Sequence, residues 1–119
     1  MIRDWKEYKG QVTAAIREIS ASNRDLVKAY AEFHHANSQS KHLDAKTREL
    51  IALAVAVTLR CDGCVNAYSE SAVKAGASKD EIVDALGVAV MVNAGATMVY
   101  SAHTIDAFNA YKPKIEVTP

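Results

Sequence analysis

The sequence predicts an all-α, single-domain helical bundle of five to six helices. Three observations predict it. Glycine is scarce and the two prolines stand at 113 and 119, so proline breaks nothing before Pro113. Apolar residues recur at three- and four-residue spacing through most of the chain. Residues suited to capping stand where those periodic stretches begin.

Trp5, Tyr8, Val12, Ile16 and Ile19 mark one face of a first helix over Asp4–Ile19. Ser22 or Asn23 caps a second, with Leu26, Val27, Tyr30, Phe33 and His34 facing inward. The polar stretch 37–41 reads as a loop, and Asp44 caps a third helix running to about Leu59. Its run Ile51–Val57 has no polar face, so the helix is either central or covered by another subunit. A buried strand is rejected there, because no turn residue separates the run from the helix-forming segment before it. A fourth helix follows the cysteines and ends at Gly76, a residue suited to the left-handed position after a helix. Ser78 and Glu81 form a capping box for a helix from Lys79 to about Asn93. Asn93-Ala94-Gly95-Ala96 weakens that helix, and a last one spans roughly Thr97–Tyr111. If Gly95 is only a kink, the two are one. Met91 and Met98 read as core.

Composition narrows the function classes. Fourteen basic and fourteen acidic residues cancel, which argues against nucleic acid or an acidic membrane as partner. The N-terminus lacks the apolar stretch of a signal peptide, and Ile51–Val57 is too short to span a bilayer. A cytoplasmic protein is expected. Half of the residues are hydrophobic, generous for 119 residues, which points to burial between subunits. No glycine-rich or metal motif implies a cofactor.

Chemistry concentrates at Cys61-Asp62-Gly63-Cys64, which holds the only two cysteines. In a thiol-poor cytoplasmic chain this is a redox dithiol or half of a metal site. Zinc needs two more ligands, and His34, His35, His42 and His103 follow no recognisable ligand spacing. A sulfur in the first turn of a helix is more easily ionised, because exposed amides and the helix dipole favour negative charge. Tyr68 lies four residues after Cys64, on the same face. Glu49 lies twelve before Cys61, about 18 Å away on a straight helix. If the chain reverses near Leu59–Arg60, Glu49 comes level with positions 68 to 71. The implied column is Glu49, Tyr68, Cys64, Cys61, with Glu49 placed to shuttle protons.

These residues resemble the carboxymuconolactone decarboxylase superfamily, in its alkylhydroperoxidase D-like branch. The resemblance covers about Leu43 to Tyr111 and rests on Thr47–Ala56, the CxxC, Ala75-Gly76-Ala77-Ser78, Ala85–Ala89 and Val99–His103. It divides the single domain 1–119 into N-terminal helices (1–42), a family core (43–111) and a tail (112–119). It implies an alkylhydroperoxidase D-like bundle that assembles as a homotrimer or homohexamer. It also implies a thiol-dependent peroxidase: Cys64 attacks a hydroperoxide, Cys61 resolves the product to a disulfide, and a dithiol or lipoyl donor reduces it. Glu49 stands at the branch's relay glutamate. The branch carries histidine where this chain has Tyr68, and a phenol cannot act as a base at neutral pH as imidazole does. His103 is then the better replacement proton carrier. A general dithiol–disulfide oxidoreductase and a non-catalytic helical binding module are the alternatives.

Overall fold

The computed structural model describes residues 1–39 and 41–115. Ser40 of the expected loop, and residues 116–119 of the expected tail, lie outside them. Five helices follow in order: α1 (Trp5–Ser22), α2 (Arg24–Ser38), α3 (Ala45–Leu59), α4 (Asp62–Lys74) and α5 (Lys79–Tyr111). No strand occurs among the described residues.

The caps at Asn23, Asp44 and Ser78 are those that the sequence suggests, and Asp4 adds one at α1. Asp4 accepts from the Glu7 amide, Asn23 from Leu26 and Asp44 from Thr47. Ser78 and Glu81 bond reciprocally in the capping box. Gly76 adopts φ 84° after α4, where the Ala77 amide donates to the Ala72 carbonyl and the Gly76 amide to that of Val73. This is the Schellman arrangement, which only a residue tolerant of the left-handed region closes cheaply.

α3 is the centre of the bundle, packed against α4 on one side and α5 on another, while α1 joins α2 to α4. The most deeply buried side chains are Leu53 and Ala56 of α3, Ala72 of α4 and Ala89 of α5. Three are alanines, so the helices approach closely along small residues. α1 is held to α4 by polar bonds: Asn66 Nδ2 donates to the Trp5 carbonyl at 2.7 Å, and Lys9 pairs with Glu70 at 2.9 Å. Lys46 of α3 pairs with Glu81 of α5 at 2.8 Å.

Two expectations change, and one alternative is decided. Asn37 and Ser38 belong to α2 rather than to a loop, because the Ser38 hydroxyl donates to the His35 carbonyl and extends the last turn. Of the two readings open at Gly95, the single helix holds, and α5 is unbroken there. There the polar residues bond back into the helix: Asn93 Nδ2 donates to the Ala89 carbonyl, and Thr97 Oγ1 to that of Asn93. Leu26, Tyr30, Phe33 and His34, expected to face inward, are exposed, as are Met91 and Met98, while Val27 is half-buried. One face of the apolar run in α3 is likewise open, at Ile51 and Val55.

The run Ile51–Val57 is too short to cross a bilayer, but α5 is long and apolar enough to do so by length and composition. Its first half packs along α3, ending at Asn93, whose side chain donates to Thr58 Oγ1 at 2.8 Å. Its second half projects away, and every residue from Met91 to Tyr111 is exposed. The radius of gyration is 21.3 Å, against about 13–14 Å for a compact chain of this length. The chain exposes 10104 Å², where a compact monomer of its mass exposes about 6,300 Å².

Two surface carboxylates report how the helices are tied. Lys9 and Lys74 hold Glu70 down to about 2, and Lys46 with the Ser78 amide holds Glu81 down to about 2. Both folded values lie below the ordinary 4.5. Their stabilisation is therefore complete above about pH 4.5 and is lost as pH falls toward 2. We expect melting temperature to drop across that window and Glu81→Gln to flatten part of the drop. In 1 M salt, with a Debye length of about 3 Å, the difference between the two proteins shrinks. Parallel pH profiles would show that the Lys46–Glu81 tie does not act this way.

Candidate functional site

The turn between α3 and α4 determines what meets at the site. α3 ends with Arg60 at φ 55°, the left-handed conformation without a glycine. The Cys61 amide donates to the Ala56 carbonyl and the Arg60 amide to that of Val57. The chain thus reverses within one residue, as the expected hairpin requires. Cys61 becomes the N-cap of α4, and its Sγ accepts the Cys64 amide at 3.2 Å. The two cysteines form a disulfide, with Cα atoms 5.2 Å apart. In the reduced state the same amide and the helix N-terminus favour negative charge on Cys61.

Two adjoining clefts open on this hairpin. One, of about 380 Å³, is walled by Leu43, Ile51, Val55 and Leu59 and reaches Cys64 and Tyr68. The other, of about 250 Å³, lies between α2 and the hairpin and holds Tyr30, His34, Arg48, Glu49 and Tyr68. Asn37, Arg48, Ala52 and Tyr68 line both, so the clefts adjoin across a common wall. Glu49 lines the one and Cys64 the other, with Tyr68 between them, while Cys61 lines neither cleft.

Charge and burial differ along the groove. Glu49 Oε2 is buried and has no hydrogen-bond partner among the described residues. The Tyr68 hydroxyl is pushed up, first by burial, then by Tyr30 and by the Glu49 carboxylate. It stays a neutral phenol at physiological pH, able to donate a hydrogen bond but not to act as a base.

His103 does not join this cluster within the chain. It stacks on Tyr100, with ring centroids 4.3 Å apart, on the projecting half of α5. It stands ten residues beyond Asn93, about 15 Å further along the axis. The sequence reading missed Arg48 and His34 as groove residues. Their signal was register: Arg48 precedes Glu49, and His34 shares a face with Tyr30 and Asn37. Among the described residues, no three His, Cys, Asp or Glu side chains converge to hold a metal.

The sequence profile described as "Carboxymuconolactone decarboxylase family" matches residues 24–107. The chain belongs to that family. The family match begins at α2, earlier than the Leu43 start of the resemblance above. An uncharacterized protein of Haemophilus influenzae is 45% identical over 112 residues, covering 94% of this chain and 99% of its own. Apo-lpg0406, a carboxymuconolactone decarboxylase family protein from Legionella pneumophila, has a similar structure with TM-score 0.70 and 28% identity. That likeness covers 92% of this chain and 97% of the Legionella chain. A structure from Methanobacterium thermoautotrophicum aligns with TM-score 0.67 and 26% identity, over 72% and 97% of the respective chains.

The reversal at Arg60 carries a cost that glycine would avoid. A side chain in the left-handed region costs roughly 1–2 kcal/mol, partly offset by the greater unfolded-state entropy of glycine. Arg60→Gly is expected to raise the melting temperature by about 2–4 °C at fixed protein concentration. A lower melting temperature would mean that the Arg60 side chain makes a contact worth more than the relieved strain.

Proposed function

We propose that this protein is a thiol-dependent peroxidase that reduces hydroperoxides through the Cys61–Cys64 dithiol–disulfide cycle. Its family includes decarboxylases and peroxidases, and the cysteine pair favours the thiol branch. The observation that carries the reading is Cys64 beside an apolar cleft, paired to Cys61, with Tyr68 as the wall shared with the cleft that Glu49 lines. In the cycle the Cys64 thiol gives its proton to Glu49, directly or through a water held by Tyr68. The thiolate attacks the outer peroxide oxygen, and the O–O bond breaks. The departing alkoxide takes a proton and leaves as an alcohol, with Cys64 as sulfenic acid. Cys61 thiolate then attacks the Cys64 sulfur and breaks its S–O bond, and the departing hydroxide takes a proton and leaves as water. A dithiol, of which a lipoyl group is one chemical form, reduces the disulfide and is itself oxidised. The apolar wall of Ile51, Val55 and Leu59 suits an organic hydroperoxide.

A general dithiol–disulfide oxidoreductase is the second reading. It is favoured by Tyr68, which cannot serve as base, and by the Cys64 amide directed at Cys61.

The working form in this reading is a homo-oligomer, a trimer or hexamer, in the cytoplasm. What supports it is the roughly 3,800 Å² of surface in excess of a compact monomer. Excess of that size matches an obligate interface. Much of it is apolar side chain on α2 and on the projecting half of α5. The occupant proposed is a second copy of this chain.

One equivalent of an alkyl hydroperoxide added to reduced protein should remove two hydrogens by mass spectrometry within seconds, and Cys64→Ser should abolish this. Unchanged thiols over minutes, with ready equilibration against a dithiol buffer, would shift the assignment to the oxidoreductase. Light scattering in detergent-free buffer should give three or six times the chain mass. A monomer, or a protein soluble only in detergent, would overturn the assembly.

A further inference from the structure

The half-buried Glu49, with one carboxylate oxygen closed to solvent, poses a problem of proton traffic. Its Oε2 is shut from solvent and accepts no hydrogen bond among the described residues. Any proton that it takes from a neighbouring thiol must leave before the next cycle. Through α3 the route is closed, because Leu53 and Ala56 are buried there against neighbouring helices. The open direction is the cleft between α2 and the hairpin.

Groups from three helices face this cleft. From α4 comes Tyr68, whose hydroxyl burial pushes up. From α2 come Tyr30, a second phenol, and Asn37 and Ser38, whose amide and hydroxyl only exchange hydrogen bonds. From α3 comes Arg48, whose guanidinium donates hydrogen bonds and accepts none. The remaining titratable side chain is His34. Its ring lies parallel to that of Tyr68, 7° from coplanar, with centroids 6.4 Å apart. The residue is exposed to water and also lines the cleft. Imidazole is the side chain that gains and loses a proton in the physiological range, and each of its two nitrogens can handle one.

We propose that His34 carries protons between solvent and the Glu49 carboxylate, across the cleft that Tyr68 walls. The inference rests on the dithiol reading above and names a residue that reading does not use. It assigns the proton-carrying role to α2, packed beside the hairpin, rather than to the cysteine helix. His34 need not touch the substrate. It sets how fast Glu49 is reset, in both directions: a proton must leave Cys64 for peroxide attack, and one must return when the disulfide is reduced.

The test uses the full chain and both half-reactions. His34→Gln keeps a polar side chain of similar size but cannot titrate. It should slow peroxide-driven disulfide formation about tenfold or more at pH 7, the lower range for loss of a general acid–base group. It should also flatten the pH–rate profile through the range where imidazole titrates. His34→Gly should be slowed alike and recover with millimolar imidazole, while the neighbouring His35→Gln should match the parent. Unaltered helicity and assembly in each variant separate this from misfolding. Equal rates in parent and His34→Gln, or no rescue by imidazole, would overturn the proposal. If peroxide leaves even the parent thiols unchanged, the peroxidase reading fails by itself. Reduction of the disulfide by dithiothreitol then still decides His34, since Cys64 must be protonated as it leaves. Identical pH profiles for parent and His34→Gln in that half-reaction would also overturn it.

Discussion

The close antiparallel contact of α3 and α4 is the constraint on which the site depends. Alanine makes it possible: Ala56 and Ala72 are buried where larger side chains would hold the helices apart. Backbone bonds at the turn then set the register, with Cys61 on Ala56 and Arg60 on Val57. A slip of one helical turn is about 5.4 Å, enough to carry Glu49 out of the groove that it shares with Tyr68. None of these bonds uses a side chain of the groove itself. The register at the turn is therefore set without the side chain at position 68.

Most of the fold was legible because its signals are local. Asp44, Ser78 with Glu81, and Gly76 each specify an end through their own nearby amides, and those ends lie where the sequence puts them. The hairpin was legible only conditionally, since no glycine marks the reversal and an arginine takes the left-handed position instead. The region around Gly95 left two readings open for the opposite reason. Asn93-Ala94-Gly95-Ala96 looks like a weak point in isolation, yet the side chains of Asn93, Thr97 and Ser101 bond to carbonyls of the preceding turn. A long helix absorbs them. Periodicity also reveals which face is apolar but not what covers it, so Tyr30 and Phe33 read as inward although they are exposed in the single chain.

That last difference bears on the groove. α2 packs closely on α1 but stands off α3 and α4, and the space between them becomes the cleft around Glu49 and His34. Had α2 closed on the hairpin with its apolar face, the cleft would be filled by Phe33 and Tyr30. Their exposure is thus linked to the site, since both line the cleft that α2 leaves open. His34 could be placed on an apolar face from its spacing alone. Its facing Tyr68 across open space depends on the distance between two helices far apart in sequence, which no local pattern encodes.

The two sulfurs are unequal in complementary ways. Cys61, as N-cap, receives an amide that stabilises charge but lines neither cleft. Cys64, inside the first turn, opens on the apolar cleft, while its own amide serves the other sulfur. In the proposed cycle each sulfur meets the demand made of it. Attack on a hydroperoxide occurs where the substrate can reach, which favours Cys64 and calls for a base nearby. Resolution happens within the protein and needs a ready thiolate, which the N-cap position of Cys61 supplies with no base at all. With tyrosine at 68, the demand for proton transfer falls entirely on the Cys64 side of the pair. That is the side on which Glu49 is half-buried and His34 reaches water.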